Sequence, residues 1–271
     1  MHSSCSDGSF SVPDLVEAVR AAGVHVFALT DHDTVRGMEV AAEQARRLGL
    51  EHVTGIEIST RIEEVELHIL GYGFDPTHPG LVAALAEQSA RRRERIPRIL
   101  ARLSSLGIAL SVTDVEAAAG DAVPGRPHVA RALVERGYAR DHSDAFRRFL
   151  GDGQLGHVRK TVPPPSQAIA WIHAAGGRAV WAHPLARPIQ RPGGFERLLR
   201  ELRGQGLDGV EEIHPAQSGT ARARIRKLAR ELELVTTGGS DFHGNASPGV
   251  AIGSGRGRDS VPASVVDRLF G

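Results

Sequence analysis

The stretch Val24-His25-Val26-Phe27-Ala28-Leu29-Thr30-Asp31-His32-Asp33 decides how the chain is read. An apolar run ends abruptly in two carboxylates flanking an imidazole, and a helical pattern follows over Val35 to Leu48. A short run of branched residues bounded by turn residues reads as a buried strand. The same pattern recurs down the chain. Glu57 closes Val53-Thr54-Gly55-Ile56, and His68 lies within Leu67-His68-Ile69-Leu70-Gly71. His183 ends Ala179-Val180-Trp181-Ala182, and Asp241-Phe242-His243 follows the run from Leu234 to Ser240. These runs read as parallel strands, and polar groups at the C-terminal ends of successive parallel strands converge on one barrel rim, where active sites form. Carboxylates mixed with imidazoles in one place suit a cluster of divalent metals.

The opening Met1-His2-Ser3-Ser4-Cys5-Ser6-Asp7-Gly8 adds one imidazole and one carboxylate directly before a helix start, where Ser11 reads as the cap and Pro13 sits in the first turn. The chain has 271 residues, enough for one large α/β domain or a domain with an insertion. Its 33 basic and 32 acidic side chains nearly cancel, which argues against a globally basic nucleic-acid binder, and no DNA partner is expected. Lys160 and Lys227 are the only lysines, so the positive charge is almost all Arg, whose fork suits phosphate. The single cysteine, Cys5, excludes an internal disulfide framework, and its expected role is small filler. No apolar run approaches the ~20 residues that span a membrane, and no charged-then-apolar leader opens the sequence. The expectation is a cytoplasmic protein.

Residues 11 to 73 read as helix, strand, helix, strand, strand. From Pro76 to about Arg159 the strand signals vanish, and helical segments are expected over Leu81 to Leu106, Val112 to Ala119, His128 to Arg136 and Asp144 to Leu150. This stretch is read as a helical insertion beside the rim, with Pro163-Pro164-Pro165 as the re-entry linker. Strand and helix alternation then resumes to a closing helix over Val261 to Phe270. The expected division is 1–75 and 161–271 for the two parts of the barrel and 76–160 for the insertion.

Together these motifs resemble the PHP family of metal-dependent phosphoesterases. The resemblance is carried, in order, by His-Ser-Ser-Cys-Ser-Asp-Gly at 2–8, Thr-Asp-His-Asp-Thr at 30–34 and Gly-Ile-Glu-Ile-Ser at 55–59. It continues through His-Ile-Leu-Gly-Tyr at 68–72, Ala-His-Pro at 182–184 and Gly-Ser-Asp-Phe-His-Gly at 239–244. It implies a distorted seven-stranded β/α barrel, TIM-like, with two to three divalent metal ions at its C-terminal rim. The implied metal ligands are His2, Asp7, His32, Glu57, His68, His183, Asp241 and His243, with Glu57, Asp241 and His243 also catalytic. The insertion carrying Gly125-Arg126-Pro127-His128 and Phe149-Leu150-Gly151-Asp152-Gly153 resembles one branch in particular. That branch removes the 3′-phosphate of nucleoside 3′,5′-bisphosphates, and some members trim 5′-phosphorylated RNA from its 5′ end. The family opens with Asp-Leu-His-x-His, and Met1 stands at the middle position, so the resemblance implies either a further His and strand ahead of Met1 or a protein that lacks that ligand and strand.

Each signal has a plainer reading beside it. Asp33 alone would cap the helix after His32, and a lone strand histidine such as His68 is often a satisfied core group. Arg126 and His128 enter a helix, so phosphate binding there stands against solvation or capping. His214 follows the run Leu207 to Ile213 and is expected to touch substrate, with an ordinary loop histidine as the alternative. The Arg91–Arg95 run reads as a solvated helix face, with an RNA-backbone contact as the lesser reading. The mixed N/O donor set suits Mn²⁺ first, with Fe²⁺ or Zn²⁺ next. The expected function is phosphomonoester hydrolysis on a phosphorylated nucleotide or short 5′-phosphorylated RNA. Histidinol-phosphate phosphatase and a non-catalytic metal-binding module are the alternatives.

Overall fold

Ser11 Oγ accepts a hydrogen bond from the Asp14 amide and starts α1 (Val12–Ala21), whose Leu15, Val16 and Val19 turn inward. The computed structural model describes residues 1–186, 189, 193–244, 249–255 and 260–271. After α1 come β1 (Val26–Ala28), α2 (Met38–Leu48) and β2 (Glu51–Val53), with β2 parallel to β1. Gly49, with φ 67°, ends α2 in the left-handed conformation that a side chain disfavours.

Strands β3 (Gly55–Ile62) and β4 (Val65–Tyr72) form an antiparallel hairpin with Glu57 opposite Leu70 and Ser59 opposite His68. Strand β4 is also antiparallel to β5 (Arg178–Trp181), and only β5, β6 (Gly209–Ile213) and β7 (Val235–Gly238) continue in parallel, across α8 (Gly194–Gly204) and α9 (Gly219–Glu231). The expectation that all the apolar runs are parallel therefore fails for β4. The reason is length: Glu63 and Glu64 alone separate Ile62 from Val65. A two-residue connection closes a hairpin, whereas a parallel pair needs a crossover of a dozen or more residues. Glu57 and His68 thus lie within strands and not at their ends.

The fold is α/β, and among the described residues its strands form two sheets, one of two strands (β1-β2) and one of five (β3-β4-β5-β6-β7). A single parallel bridge between His32 and Glu57 links them. Between β1 and β7 lies the N-terminal segment, where Thr30 N donates to Met1 O at 3.0 Å and His2 N donates to Phe242 O at 2.8 Å. Among the described residues no closed ring of seven paired strands forms. A cavity of about 460 Å³ opens between β1, β7 and α10 (Val265–Phe270) and reaches up to Glu57, His183 and Asp241.

The main core packs Ile56, Ile58 and Ile69 of the hairpin against Trp181, Phe195 and Ile172 of α7 (Pro165–Ala174). Full burial of such side chains contributes about 1.5–3 kcal/mol each. Helix α3 (Pro79–Ser104) spans two cores. Leu81 and Leu85 join the main one, while Ile96, Ile99 and Leu103 build a second with α4 (Val112–Ala119) and α5 (Arg126–Glu135). A short α6 (His142–Ala145) runs into a π-helical turn, Phe146–Leu150. The helical stretch expected from the sequence is thus present and carries its own apolar cluster. Among the described residues no helix is long and apolar enough to cross a membrane.

Candidate metal centre

The first eight residues owe their path to Asp31, which is fully buried. Its Oδ1 accepts from Ser3 N at 2.7 Å and Ser6 Oγ at 2.5 Å, and its Oδ2 accepts from Ser3 Oγ at 2.6 Å. Gly8 closes the loop, because a Cβ there would lie 2.2 Å from the His2 carbonyl oxygen. The loop so held puts His2 and Asp7 against the strand ends. His2 is fully buried, with Nε2 3.1 Å from both Glu57 Oε2 and Asp241 Oδ1 and Nδ1 3.8 Å from Asp7 Oδ1.

The other predicted ligands arrive from separate elements. His68 Nδ1 lies 2.5 Å and His183 Nε2 3.2 Å from Glu57 Oε1. His32 Nε2 is 3.9 Å from Asp7 Oδ2, and His243 Nε2 is 3.4 Å from Asp7 Oδ1. The His2 ring stacks on His243 at 4.1 Å and sits 4.5 Å from His32. Three strand-end residues adopt positive φ without being glycine: Asp33 at 56°, His183 at 32° and Asp241 at 49°. Such conformations cost about 1–3 kcal/mol each and persist where the surroundings enforce them. Asp33 is held by Ser59, whose amide and hydroxyl donate to it at 2.8 and 3.0 Å. The His183 amide donates to Glu211 Oε2 at 2.8 Å.

Donor atoms gather into three groups, each within 4.8 Å: His2, Asp7, His32 and His243; His32, Glu57 and His68; His2, Glu57 and Asp241. His2, His32 and Glu57 each belong to two of them. His183 belongs to none, although its ring is 5.3 Å from His68. The set fits divalent cations on its own chemistry. Nδ1 of His2 and Nδ1 of His32 are buried with no hydrogen-bond partner, a condition that bound cations would relieve.

The electrostatics agree. Burial pushes the Glu57 carboxyl up, but His32, His68, His183 and His2 override it and hold it well below the usual range. Burial likewise opposes, and His32, His243 and His2 enforce, a low value at Asp7. His2 is pressed down by burial, yet Asp241 and Glu57 lift it to about 10. His183 is also pressed down and is lifted to about 9 by Glu57. At His32 burial wins over Glu57 and Asp7, and the value falls to about 3. Anionic carboxylates among crowded imidazoles, some held protonated only by those carboxylates, form a site that divalent cations can enter by displacing protons.

The three predicted substrate residues are placed differently. His214 is buried beside the cluster, 3.5 Å from Asp241 Oδ2 with its ring 5.2 Å from His183. His128 is almost fully buried. Its Nδ1 accepts from the Gly125 amide at 3.1 Å, and its ring is also hydrogen-bonded to the Ser6 backbone, tying α5 to the N-terminal loop. Burial drives its pKa down to about 4. Its geometry is that of a strut. Arg126 opens α5 and donates at 3.3 Å to Leu150 O and to the exposed Asp152.

Several residues near the centre have contacts that the sequence reading did not assign. Asp33, expected as a helix cap, accepts from Ser59, and Arg95, expected on a solvated face, is buried. Asp31 and Asp33 flank His32, and the paired carboxylates were the available signal. A cationic cluster adjoins Asp33: Arg92 Nη1 lies 3.5 Å from Asp33 Oδ2, and Lys160 Nζ donates to Ser59 Oγ at 3.0 Å. Arg95 is 5% exposed and donates from Nε to Val158 O at 2.6 Å, leaving Nη2 unpartnered. Burial and its neighbour Arg126 lower Arg95 to about 9, and burial lowers Lys160 to about 8. The Arg91–Arg95 run was the signal here, but its inward face could not be told from its outward one.

Comparison with known proteins gives the family. Residues 1–150 match the PHP domain family. The chain is 39% identical to a 5′-3′ exoribonuclease of Haemophilus influenzae over 242 residues, 89% of this chain and 88% of that one. It is 32% identical to a 3′,5′-nucleoside bisphosphate phosphatase of Chromobacterium violaceum over 253 residues, 93% of this chain and 88% of that one. A crystal structure from Bifidobacterium adolescentis, assigned to the metal-dependent phosphoesterases, superposes with a TM-score of 0.90 at 31% identity, covering 99% of this chain and 93% of that one. With its imidazoles and carboxylates gathered as described, the chain belongs to the PHP family of metal-dependent phosphoesterases.

Proposed function

We propose that the chain hydrolyses the 3′-phosphate of nucleoside 3′,5′-bisphosphates and, by the same chemistry, trims 5′-phosphorylated RNA. The observation that carries this reading is the adjacency of two sites. His32 faces the metal-ligand cluster, and its neighbour Asp33 faces Arg92, Ser59 and Lys160. A substrate with two phosphates can place one at each. The activities named for the Haemophilus and Chromobacterium relatives support the same substrate class. The seven-stranded barrel, with 1–75 and 161–271 as its parts and 76–160 as the insertion, belongs to this reading.

His2, Asp7, His32, Glu57, His68, His183, Asp241 and His243 would hold two to three divalent ions, Mn²⁺ first, with Fe²⁺ or Zn²⁺ as alternatives. Bound cations supply the Lewis acidity that neutralises phosphoryl oxygens and makes water a competent nucleophile near neutral pH. Glu57 directs its two oxygens to different imidazoles and would hold cations together with His2, His68 and His183. His243 is oriented by its Nδ1 contact to the Asp241 carbonyl at 2.8 Å, which leaves Nε2 facing Asp7. His214 accepts from the Ala216 amide at Nδ1, so its neutral ring carries the proton on Nε2, toward Asp241. That N–H can donate a hydrogen bond to a substrate phosphoryl oxygen beside Asp241. Arg95, Arg126 and Lys160 bind the phosphate that does not react, while His128 positions Arg126's helix against the loop bearing His2 and Asp7.

The test compares phosphate release from adenosine 3′,5′-bisphosphate, adenosine 3′-monophosphate and histidinol phosphate. The second phosphate, held by charged hydrogen bonds of about 1.5–3 kcal/mol each, predicts a kcat/KM at least about tenfold higher for the bisphosphate. Faster turnover of histidinol phosphate would reject the nucleotide reading.

A further inference from the structure

Outside the cationic cluster, helix α3 and the segment 159–161 enclose a groove of about 320 Å³ lined by Arg91, Glu94, Arg95, Arg98, Arg159 and Thr161. Arg91, Arg95 and Arg98 recur at helical spacing, so they share one face. A smaller cleft shares Arg91, Arg95 and Thr161 with this groove and runs inward to Arg92, Lys160 and Asp33. The groove therefore begins where the unreacting phosphate is placed and leads away from the metal ligands.

Four guanidinium groups line this groove against one carboxylate. Arg91 pairs with Glu87 at 2.5 Å and Arg159 with Glu64 at 2.7 Å, both on the surface, where such pairs are worth little and exchange readily. Buried Arg95 has an Nη2 with no partner, although an unsatisfied buried charge of this kind is costly. Arg91 to Arg98 spans about 10 Å of helix, longer than one phosphate needs. A row of forks of this length, open at its outer end, suits successive phosphates in a chain.

We propose that this groove binds a 5′-diphosphate or longer 5′-polyphosphate, so that the enzyme accepts nucleoside 3′-phosphates whose 5′ end is extended beyond a single phosphate. The inference rests on the reading that the unreacting 5′-phosphate lies at Arg95, Arg126 and Lys160. The extension then passes Arg95 and reaches Arg98 and Arg159, while the scissile 3′-phosphate stays at the metal ligands. No new bond chemistry is involved, because the groove widens substrate range only at the far end.

The test measures binding of adenosine 5′-mono-, di- and triphosphate to the metal-loaded protein at saturating metal. These probes lack the scissile 3′-phosphate, so affinity is read apart from turnover. The expected result is tightening of about tenfold from the mono- to the diphosphate, the size of one added charged contact. Arg98→Ala with Arg159→Ala should erase that gain and leave monophosphate affinity unchanged, and Arg98→Glu should invert it. Equal affinity across the series, or a gain that survives all three substitutions, overturns the proposal. Failure of the bisphosphate-hydrolysis reading would appear separately, as absent phosphate release from adenosine 3′,5′-bisphosphate.

Discussion

Glu57 Oε2 lies 3.1 Å from His2 Nε2, so the third residue of a hairpin strand meets the second residue of the chain, and both side chains are buried. The other oxygen of Glu57 faces His68 and His183. One carboxylate therefore sits at the junction of imidazoles from three parts of the chain, and its removal should be felt by more than one ion. Glu57→Gln keeps the shape and removes the charge. The expected loss of activity exceeds the about 10–100-fold typical of an outer-shell change, with fewer metal ions bound per chain. Unchanged metal content by elemental analysis would contradict this role.

Asp31 touches none of the donor atoms in the three groups but holds the loop that carries two of the candidate ligands, His2 and Asp7. Asp31→Asn keeps one acceptor and loses the charge that gathers Ser3 and Ser6. Metal affinity should fall about 10–100-fold while the circular dichroism spectrum stays native. A titration matching the wild type would show that the serines alone position His2 and Asp7.

Metal binding should release protons. Without metal, His2 titrates near 10 and His183 near 9, because neighbouring carboxylates favour their charged forms. Both are protonated at neutral pH, and a cation must displace those protons. Apparent affinity should therefore rise with pH through the neutral range and level off only above about 9–10. Calorimetry in two buffers of different ionisation enthalpy reads the protons directly; identical heats would contradict the assignment.

Arg126 makes one of its side-chain contacts to an exposed carboxylate, so that pair contributes little to stability. Arg126→Ala should leave the melting temperature nearly unchanged. It should narrow the preference for adenosine 3′,5′-bisphosphate over the 3′-monophosphate by about tenfold, through loss of one charged contact. A change in kcat shared equally by both substrates would place Arg126 elsewhere in the mechanism.

His128 behaves in the opposite way. Its ring is used between the Gly125 amide and the Ser6 backbone, inside the fold. His128→Ala should cost about 1–2 kcal/mol, or roughly 2–8 °C in melting temperature at this size. Full stability with lost substrate affinity would return His128 to a direct role in binding.

Much of the candidate site was legible in the sequence because metal-binding side chains are polar and buried strands apolar, so each candidate ligand interrupts its run. Asp31-His32-Asp33, Ala182-His183 and Asp241-Phe242-His243 all announce themselves in this way. Strand direction did not, because Ser59-Thr60-Arg61 is polar and continues β3 only by pairing with β4. The role of Asp31 was hidden as well: a carboxylate that binds a loop and one that binds a metal look alike until their partners are placed. Lys160 and Arg95 come together only through the tertiary fold, which no local pattern reports. His128 was expected to bind phosphate, with solvation or capping as alternatives, and its contact to Ser6 was hidden because the two are remote in sequence.

The most direct measurement of the central claim is phosphate release from adenosine 3′,5′-bisphosphate by the Mn²⁺-loaded protein, with and without chelator, beside Asp241→Ala. The account predicts release in the wild type that chelation abolishes and fresh Mn²⁺ restores, with Asp241→Ala reduced to near background. Release that survives both chelation and Asp241→Ala would contradict it.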